Sequence, residues 1–143
     1  EELDGGRIKK LYSRVLGCSY NGAPYIIQKA ACAALSAEGI RQCGVYIDEC
    51  LKNAGALKKQ LMAAGASAFG GEDSPYVWLK CPEGYSGGGF ADELLYKAGI
   101  AVTPGGGFGN GGENFVRLSA LGGGDAASSA AKNIIALFRA AKR

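Results

Sequence analysis

The sequence has 143 residues, enough for one domain with a real hydrophobic core and too few for a second full one. Its 16 basic and 13 acidic residues leave a formal charge of +3, dispersed apart from Arg7-Ile8-Lys9-Lys10 and Lys58-Lys59, which argues against a nucleic-acid partner. Histidine is absent, so Ser-His and Cys-His catalysis and mixed Cys/His zinc sites are excluded.

The chain opens with a helical lead-in, and the alanine-rich residues 24–37 predict a helix with Pro24 in its first turn and the loop Asn21-Gly22-Ala23 before it. Next, Ile40, Cys43, Ile47, Cys50, Ala54, Leu57 and Leu61 recur at spacings of three and four, one apolar stripe on a long helix over about 40–64 that should lie across a partner surface. Gly65 is its natural stop. Beyond it the pattern turns to short β-like runs at 66–69, 76–81, 100–103 and 114–120, separated by glycine and proline. Between them Phe90, Leu94, Leu95 and Ala98 mark a short amphipathic helix over 90–98. Residues 125–141 predict a last helix capped by Asp125, with Ala127, Ala130, Ala131, Ile134, Leu137, Phe138 and Ala141 at helical spacing. The expected fold is α/β of the α+β, two-layer type: a small, mostly antiparallel sheet covered by helices, in a single domain 1–143 whose helical part ends at residue 64.

Cys18, Cys32, Cys43, Cys50 and Cys81 form no Cys-x-x-Cys pair, and their odd number argues against a complete disulfide framework. A reducing compartment is expected, plastid stroma or cytoplasm. No run of about 20 apolar residues could span a bilayer, and Glu1-Glu2 resembles neither a signal nor a transit peptide, so a soluble chain is expected.

The segment Thr103-Pro104-Gly105-Gly106-Gly107-Phe108-Gly109-Asn110-Gly111-Gly112 ends in Glu113-Asn114-Phe115-Val116-Arg117-Leu118-Ser119-Ala120. A glycine-rich loop thus delivers an arginine into an apolar strand, where Phe115, Arg117 and Ser119 share one face and Val116, Leu118 and Ala120 the other. An arginine fork held this way can take a carboxylate through two parallel hydrogen bonds, whereas the local pattern alone favours a solvated arginine on one sheet face. The loop formally contains G-x-G-x-x-G, but a dinucleotide fingerprint opens a helix and here a strand follows. Trp78 in Tyr76-Val77-Trp78-Leu79-Lys80 is expected in the core. The adjacent pairs Asp48-Glu49 and Asp92-Glu93 diverge on their helices and read as surface carboxylates. Cys43 and Cys50 lie on the apolar stripe as small hydrophobes. Asn21 reads either as turn chemistry or as an amide that reaches a ligand.

In order along the chain, Tyr20-Asn21-Gly22-Ala23, Leu35-Ser36-Ala37-Glu38-Gly39, Gly70-Gly71-Glu72-Asp73-Ser74-Pro75-Tyr76-Val77-Trp78-Leu79, the glycine loop and the Arg117 strand resemble class I pyridoxal-phosphate aminotransferases, most closely the LL-diaminopimelate aminotransferase family. The resemblance covers nearly the whole chain and implies the C-terminal small domain of the type I fold. It implies that Arg117 binds the substrate's α-carboxylate, that of an amino acid or 2-oxo acid, and that Asn21 reaches a substrate from the partner subunit. The family's Schiff-base lysine, in a Ser-x-x-Lys segment followed by a phosphate-binding arginine, belongs upstream of Glu1. None of the lysines from Lys9 to Lys142 sits in that context, so pyridoxal phosphate is expected to need a cofactor-binding domain that these residues do not supply. The chain departs from the family at Tyr85-Ser86-Gly87-Gly88-Gly89, where a serine-tryptophan is usual, at Asn110, a usual proline position, and at the Gly122-Gly123-Gly124 turn. A non-catalytic structural or interaction subunit of a larger assembly is the alternative expectation.

Overall fold

The computed structural model describes residues 5–20, 22–122 and 124–141. They group into two units, 1–44 and 45–143, divided within a long helix rather than at Gly65, where the residue pattern changes. The first unit holds α1 (Gly5–Ser19), α2 (Tyr25–Ala34) and the start of α3 (Ala37–Ala63). No residue described in α1 or α2 is buried. The predicted helix over 24–37 is cut short by a break before Ala37, where α3 starts. Its first part ends at Ala34, and the Ser36 hydroxyl then donates to the Ala33 carbonyl at 2.7 Å while accepting the Gly39 N–H at 3.1 Å. A serine bonded both ways ends one helix and starts the next, so α3 begins before Ile40. Glu38 in its first turn receives Arg41 Nε at 2.8 Å and Gln42 Nε2 at 2.6 Å, and the Arg41 hydrogen bonds hold its carboxyl below the usual range.

The second unit is a four-stranded antiparallel sheet with helices on one face, the two-layer arrangement expected of the sequence. Strands β1 (Ala68–Gly70), β2 (Tyr76–Lys80), β3 (Thr103–Pro104) and β4 (Phe115–Ser119) lie in the order β1-β2-β4-β3. Alternation along β2 and β4 sends Val77, Leu79, Val116 and Leu118 inward. There they meet Ala54, Leu57 and Leu61 of α3, Phe90, Ala91 and Leu94 of α4 (Gly87–Ala98), and Ala131, Ile134 and Phe138 of α5 (Gly124–Ala140). The α3 stripe is therefore split. Cys50, Ala54, Leu57 and Leu61 are buried, whereas Ile40, Cys43 and Ile47 stay exposed, because the packed core is reached only by the later turns. Gly65, at φ +80°, ends α3 as expected: the Ala66 N–H bonds back to the Leu61 carbonyl at 3.1 Å, a reversal that a side chain would strain. Asp125, the expected cap of α5, has a side chain outside the described residues.

Helix α4 starts three residues before the predicted Phe90. Ser86 caps it, its hydroxyl accepting the Gly89 N–H at 3.1 Å, and the Gly87 N–H donates to the Glu113 carbonyl at 2.6 Å. This ties the first turn of α4 to the end of the glycine loop.

All five cysteines are free, with Cys18, Cys32 and Cys43 exposed and Cys50 and Cys81 buried. Burial pushes the Cys81 thiol up to about 11, so at neutral pH it is neither accessible nor ionised. Native alkylation at pH 7.5, followed by mass spectrometry, should label Cys18, Cys32 and Cys43 and leave Cys50 and Cys81 roughly tenfold slower or more, with all five labelled in denaturant. No helix among the described residues is long and apolar enough to cross a membrane.

Candidate carboxylate-binding site

The face of the sheet opposite the helices carries the candidate site. Register aligns Phe69 with Trp78, Trp78 with Arg117, and Arg117 with Thr103, so these four form one row across all four strands on that face. Tyr76 and Phe115 flank the row. Trp78 is therefore half-buried on the open face rather than in the core. Its neighbours Val77 and Leu79 take the core positions, and an alternating strand leaves the residue between them no other direction.

Between β3 and β4 the glycine segment forms two short 3-10 turns, Gly105–Phe108 and Asn110–Gly112, and no α-helix follows its G-x-G-x-x-G. The loop closes on itself. A β-carbon at Gly105 would stand 2.3 Å from the Gly112 carbonyl oxygen, and one at Gly112 would stand 2.2 Å from that of Gly105. Two backbones in direct contact require glycine on both sides. The closure sets Phe108 above the sheet, edge-on to Trp78 at 5.2 Å between ring centroids.

Arg117 lies between two rings. Its guanidinium carbon is 4.3 Å from the Tyr76 centroid and 4.6 Å from that of Phe108. Stacking on aromatic faces engages the flat sides of a guanidinium and leaves its N–H edge for an acceptor lying in the same plane. Among the described residues Arg117 has neither a hydrogen bond nor an ion pair, while the other described pairs are made elsewhere: Arg41 with Glu38, Lys58 with Glu72, and Lys97 with Glu93. Glu93 belongs to the pair Asp92-Glu93, and its partner Lys97 is held above the usual lysine range by that hydrogen bond.

Asn21, the other candidate, lies outside the described residues. Sequence reasoning does not single out Tyr76 and Phe108 as neighbours of Arg117. The alternation of β2 carries a signal for Tyr76, since Tyr76, Trp78 and Lys80 share a face, but Phe108 comes from a loop whose closure no local pattern encodes.

None of Lys58, Lys80, Lys97 and Lys132 fits a pyridoxal phosphate site. A Schiff-base amine is desolvated and lowered in pKa. Here Lys58 and Lys97 are engaged with carboxylates, and Lys80 is exposed at the end of β2. Ser129-Ala130-Ala131-Lys132 matches the bare Ser-x-x-Lys spacing, but it lies within α5, which covers the other face of the sheet, and Lys132 is exposed. No group of three or more metal-ligating side chains occurs among the described residues.

No family model matches the chain. The sequence is 41% identical over 120 residues to LL-diaminopimelate aminotransferase of Prochlorococcus marinus, covering 82% of this chain and 29% of that protein. It is 42% identical over 122 residues to the enzyme of Parabacteroides distasonis, covering 84% of this chain and 30% of the relative. The fold superposes on L,L-diaminopimelate aminotransferase from Chlamydomonas reinhardtii with a TM-score of 0.83 and 34% identity, over 89% of this chain and 31% of the other. These likenesses, with the two-layer sheet, put the chain in the pyridoxal-phosphate aminotransferase family. Within it, the chain is related to the C-terminal part of LL-diaminopimelate aminotransferases. It spans about 30% of the length of the curated relatives it matches.

Proposed function

We propose that this chain supplies the substrate-carboxylate site of a pyridoxal-phosphate aminotransferase resembling LL-diaminopimelate aminotransferase. Arg117 holds the carboxylate of an amino acid or 2-oxo acid, and Asn21 reaches substrate from the partner subunit. The Schiff-base lysine and the cofactor's phosphate site come from sequence outside these 143 residues, which therefore do not transaminate by themselves. The reading places the protein in a reducing compartment, plastid stroma or cytoplasm. One observation carries it: the Arg117 guanidinium carbon sits over the Tyr76 ring at 4.3 Å and the Phe108 ring at 4.6 Å, without an acidic partner among the described residues. A cation fixed in orientation and left unneutralised is suited to an anionic ligand.

Mixing the chain with a separately expressed cofactor-binding segment of a related aminotransferase tests this proposal. The mixture should transaminate and the chain alone should not. Arg117→Lys should lower kcat/KM of the mixture by about 10- to 100-fold, because an ammonium keeps the charge and loses the bidentate fork. An assembled but inactive mixture, or an unchanged Arg117→Lys, would overturn the proposal.

The second reading is a non-catalytic interaction subunit. It is favoured by the apolar stripe Ile8, Leu11, Tyr12 and Val15 on α1, each residue at least half exposed. A stable assembly that binds no carboxylate would select it.

A further inference from the structure

The turn that follows β2 walls a depression of about 450 Å³, and none of the residues lining it belongs to the carboxylate site around Arg117. Its backbone is pinned at three points: the Lys80 N–H donates to the Ser67 carbonyl at 3.0 Å, the Cys81 N–H to the Asn114 carbonyl at 2.9 Å, and the Tyr85 N–H to the Pro82 carbonyl at 3.1 Å. The last bond closes a turn with Gly84 at φ +86°, where a side chain would be strained. Cys81, Pro82 and Phe138 are buried and make the floor apolar, while Tyr85 is half-buried at the wall. Tyr85 also opens the Tyr85-Ser86-Gly87-Gly88-Gly89 segment in which the chain departs from its family.

Two opposite charges line this depression. Lys80 and Glu83 are both exposed, and neither is in an ion pair, with the other or with any of the described residues. Ser67 and Asn114 add a hydroxyl and an amide to the rim. We propose that the depression is a second small-molecule site and that it takes a free, zwitterionic α-amino acid with an apolar side chain. Lys80 holds the carboxylate, Glu83 holds the ammonium group, and the side chain lies over Pro82, Tyr85 and Phe138. A simple anion would leave Glu83 beside a second negative charge, and a simple amine would leave Lys80 beside a second positive one, whereas a zwitterion meets both. A peptide terminus brings only one of the two charges. A further charge on the ligand side chain is disfavoured, because the floor offers it no charged partner and the Cys81 thiol stays un-ionised at neutral pH.

The test is a titration of the isotope-labelled chain with L-leucine, with isocaproate, which lacks its ammonium group, and with isoamylamine, which lacks its carboxylate. NMR at the Gly84 N–H and the Asn114 side-chain amide reports this site, and the Arg117 Nε–H reports the carboxylate site separately. Leucine should move the Gly84 and Asn114 signals and bind there roughly fivefold or more tightly than either analogue. Lys80→Gln should bring leucine to within about twofold of isoamylamine, and Glu83→Gln to within about twofold of isocaproate, each by removing one of the two charge partners. Both positions are exposed, so neither change disturbs the core. Equal binding of leucine and either analogue, or an undiminished preference for leucine in both variants, overturns the zwitterion site. Shifts confined to the Arg117 Nε–H, or no shift at all, overturn the depression as a site.

Discussion

Gly105→Ala should destabilise the chain by about 3 kcal/mol or more, and Gly112→Ala by a similar amount, read as a fall in the urea midpoint at constant slope. The added methyl at Gly105 meets the Gly112 carbonyl oxygen at 2.3 Å, the Phe115 carbonyl oxygen at 2.8 Å and the Trp78 ring at 3.0 Å. Two of these neighbours are backbone and one of them belongs to β4, so relief requires the loop to open or the strand to move. Gly107 and Gly111 lie in the same loop and have open space at their β-carbon positions, without positive φ. Alanine there should be neutral or stabilising by about 0.4–1 kcal/mol through a less flexible unfolded chain. The contrast between neighbouring glycines separates a steric requirement from a general intolerance of the loop. It also bears on the site, since opening the loop withdraws Phe108 from Arg117. A Gly105→Ala variant that folds should therefore lose carboxylate binding even under conditions where it remains native. Wild-type stability in Gly105→Ala would mean that the loop does not close on the Gly105–Gly112 contact.

How far the fold is legible in the sequence depends on whether each pattern is local. The β2 and β4 strands and α5 carry strict periodicities in their own residues, and the structure sets each within a few residues of its predicted bounds. Arg117 is legible for the same reason: the parity of Phe115, Arg117 and Ser119 alone assigns it to the face opposite Val116 and Leu118. Helix α1 is less visible, because Gly5, Gly6 and Gly17 weaken its propensity while Ile8, Leu11, Tyr12 and Val15 stay exposed. Three glycines also hide the first turn of α4, which is set by the Ser86 cap and by the bond from Gly87 to the Glu113 carbonyl, a partner 26 residues away along the chain (113 − 87). The α3 stripe announces a buried face, but where burial begins depends on where the sheet lies. The apolar neighbourhood of Trp78 points to the core, and only the register with Phe69 and Arg117 puts it on the open face. The site itself is the extreme case. Tyr76, Phe108 and Arg117 come together through strand pairing and loop closure, which are non-local.

Phe90→Ala should cost about 3–5 kcal/mol, enough to remove a large share of the stability of a domain of this size. Phe90 is 1% exposed, among the largest fully buried side chains, and it packs edge to face with Tyr85 at 5.7 Å in the core formed by α3, α4, α5 and the sheet. The core cluster it belongs to draws on α3, α5 and the sheet as well as α4, so closing the cavity requires one of these elements to move. Phe90→Leu keeps most of the volume and should cost no more than about 1.5 kcal/mol. The reach of the larger substitution extends beyond stability. The first turn of α4 is bonded to Glu113, and β4 with Arg117 starts two residues later at Phe115. Loosening α4 therefore loosens the support of the loop that sets Phe108 on the guanidinium. Hydrogen exchange should detect this as faster exchange of the Gly87 and Phe90 amides in Phe90→Ala, beyond the change expected from global unfolding alone. Carboxylate affinity should fall with it, although Phe90 lies on the opposite side of the sheet from Arg117. If Phe90→Ala lost stability but kept native exchange at Gly87 and full affinity, α4 would be a covering helix only, and the loop would hold Arg117 without it.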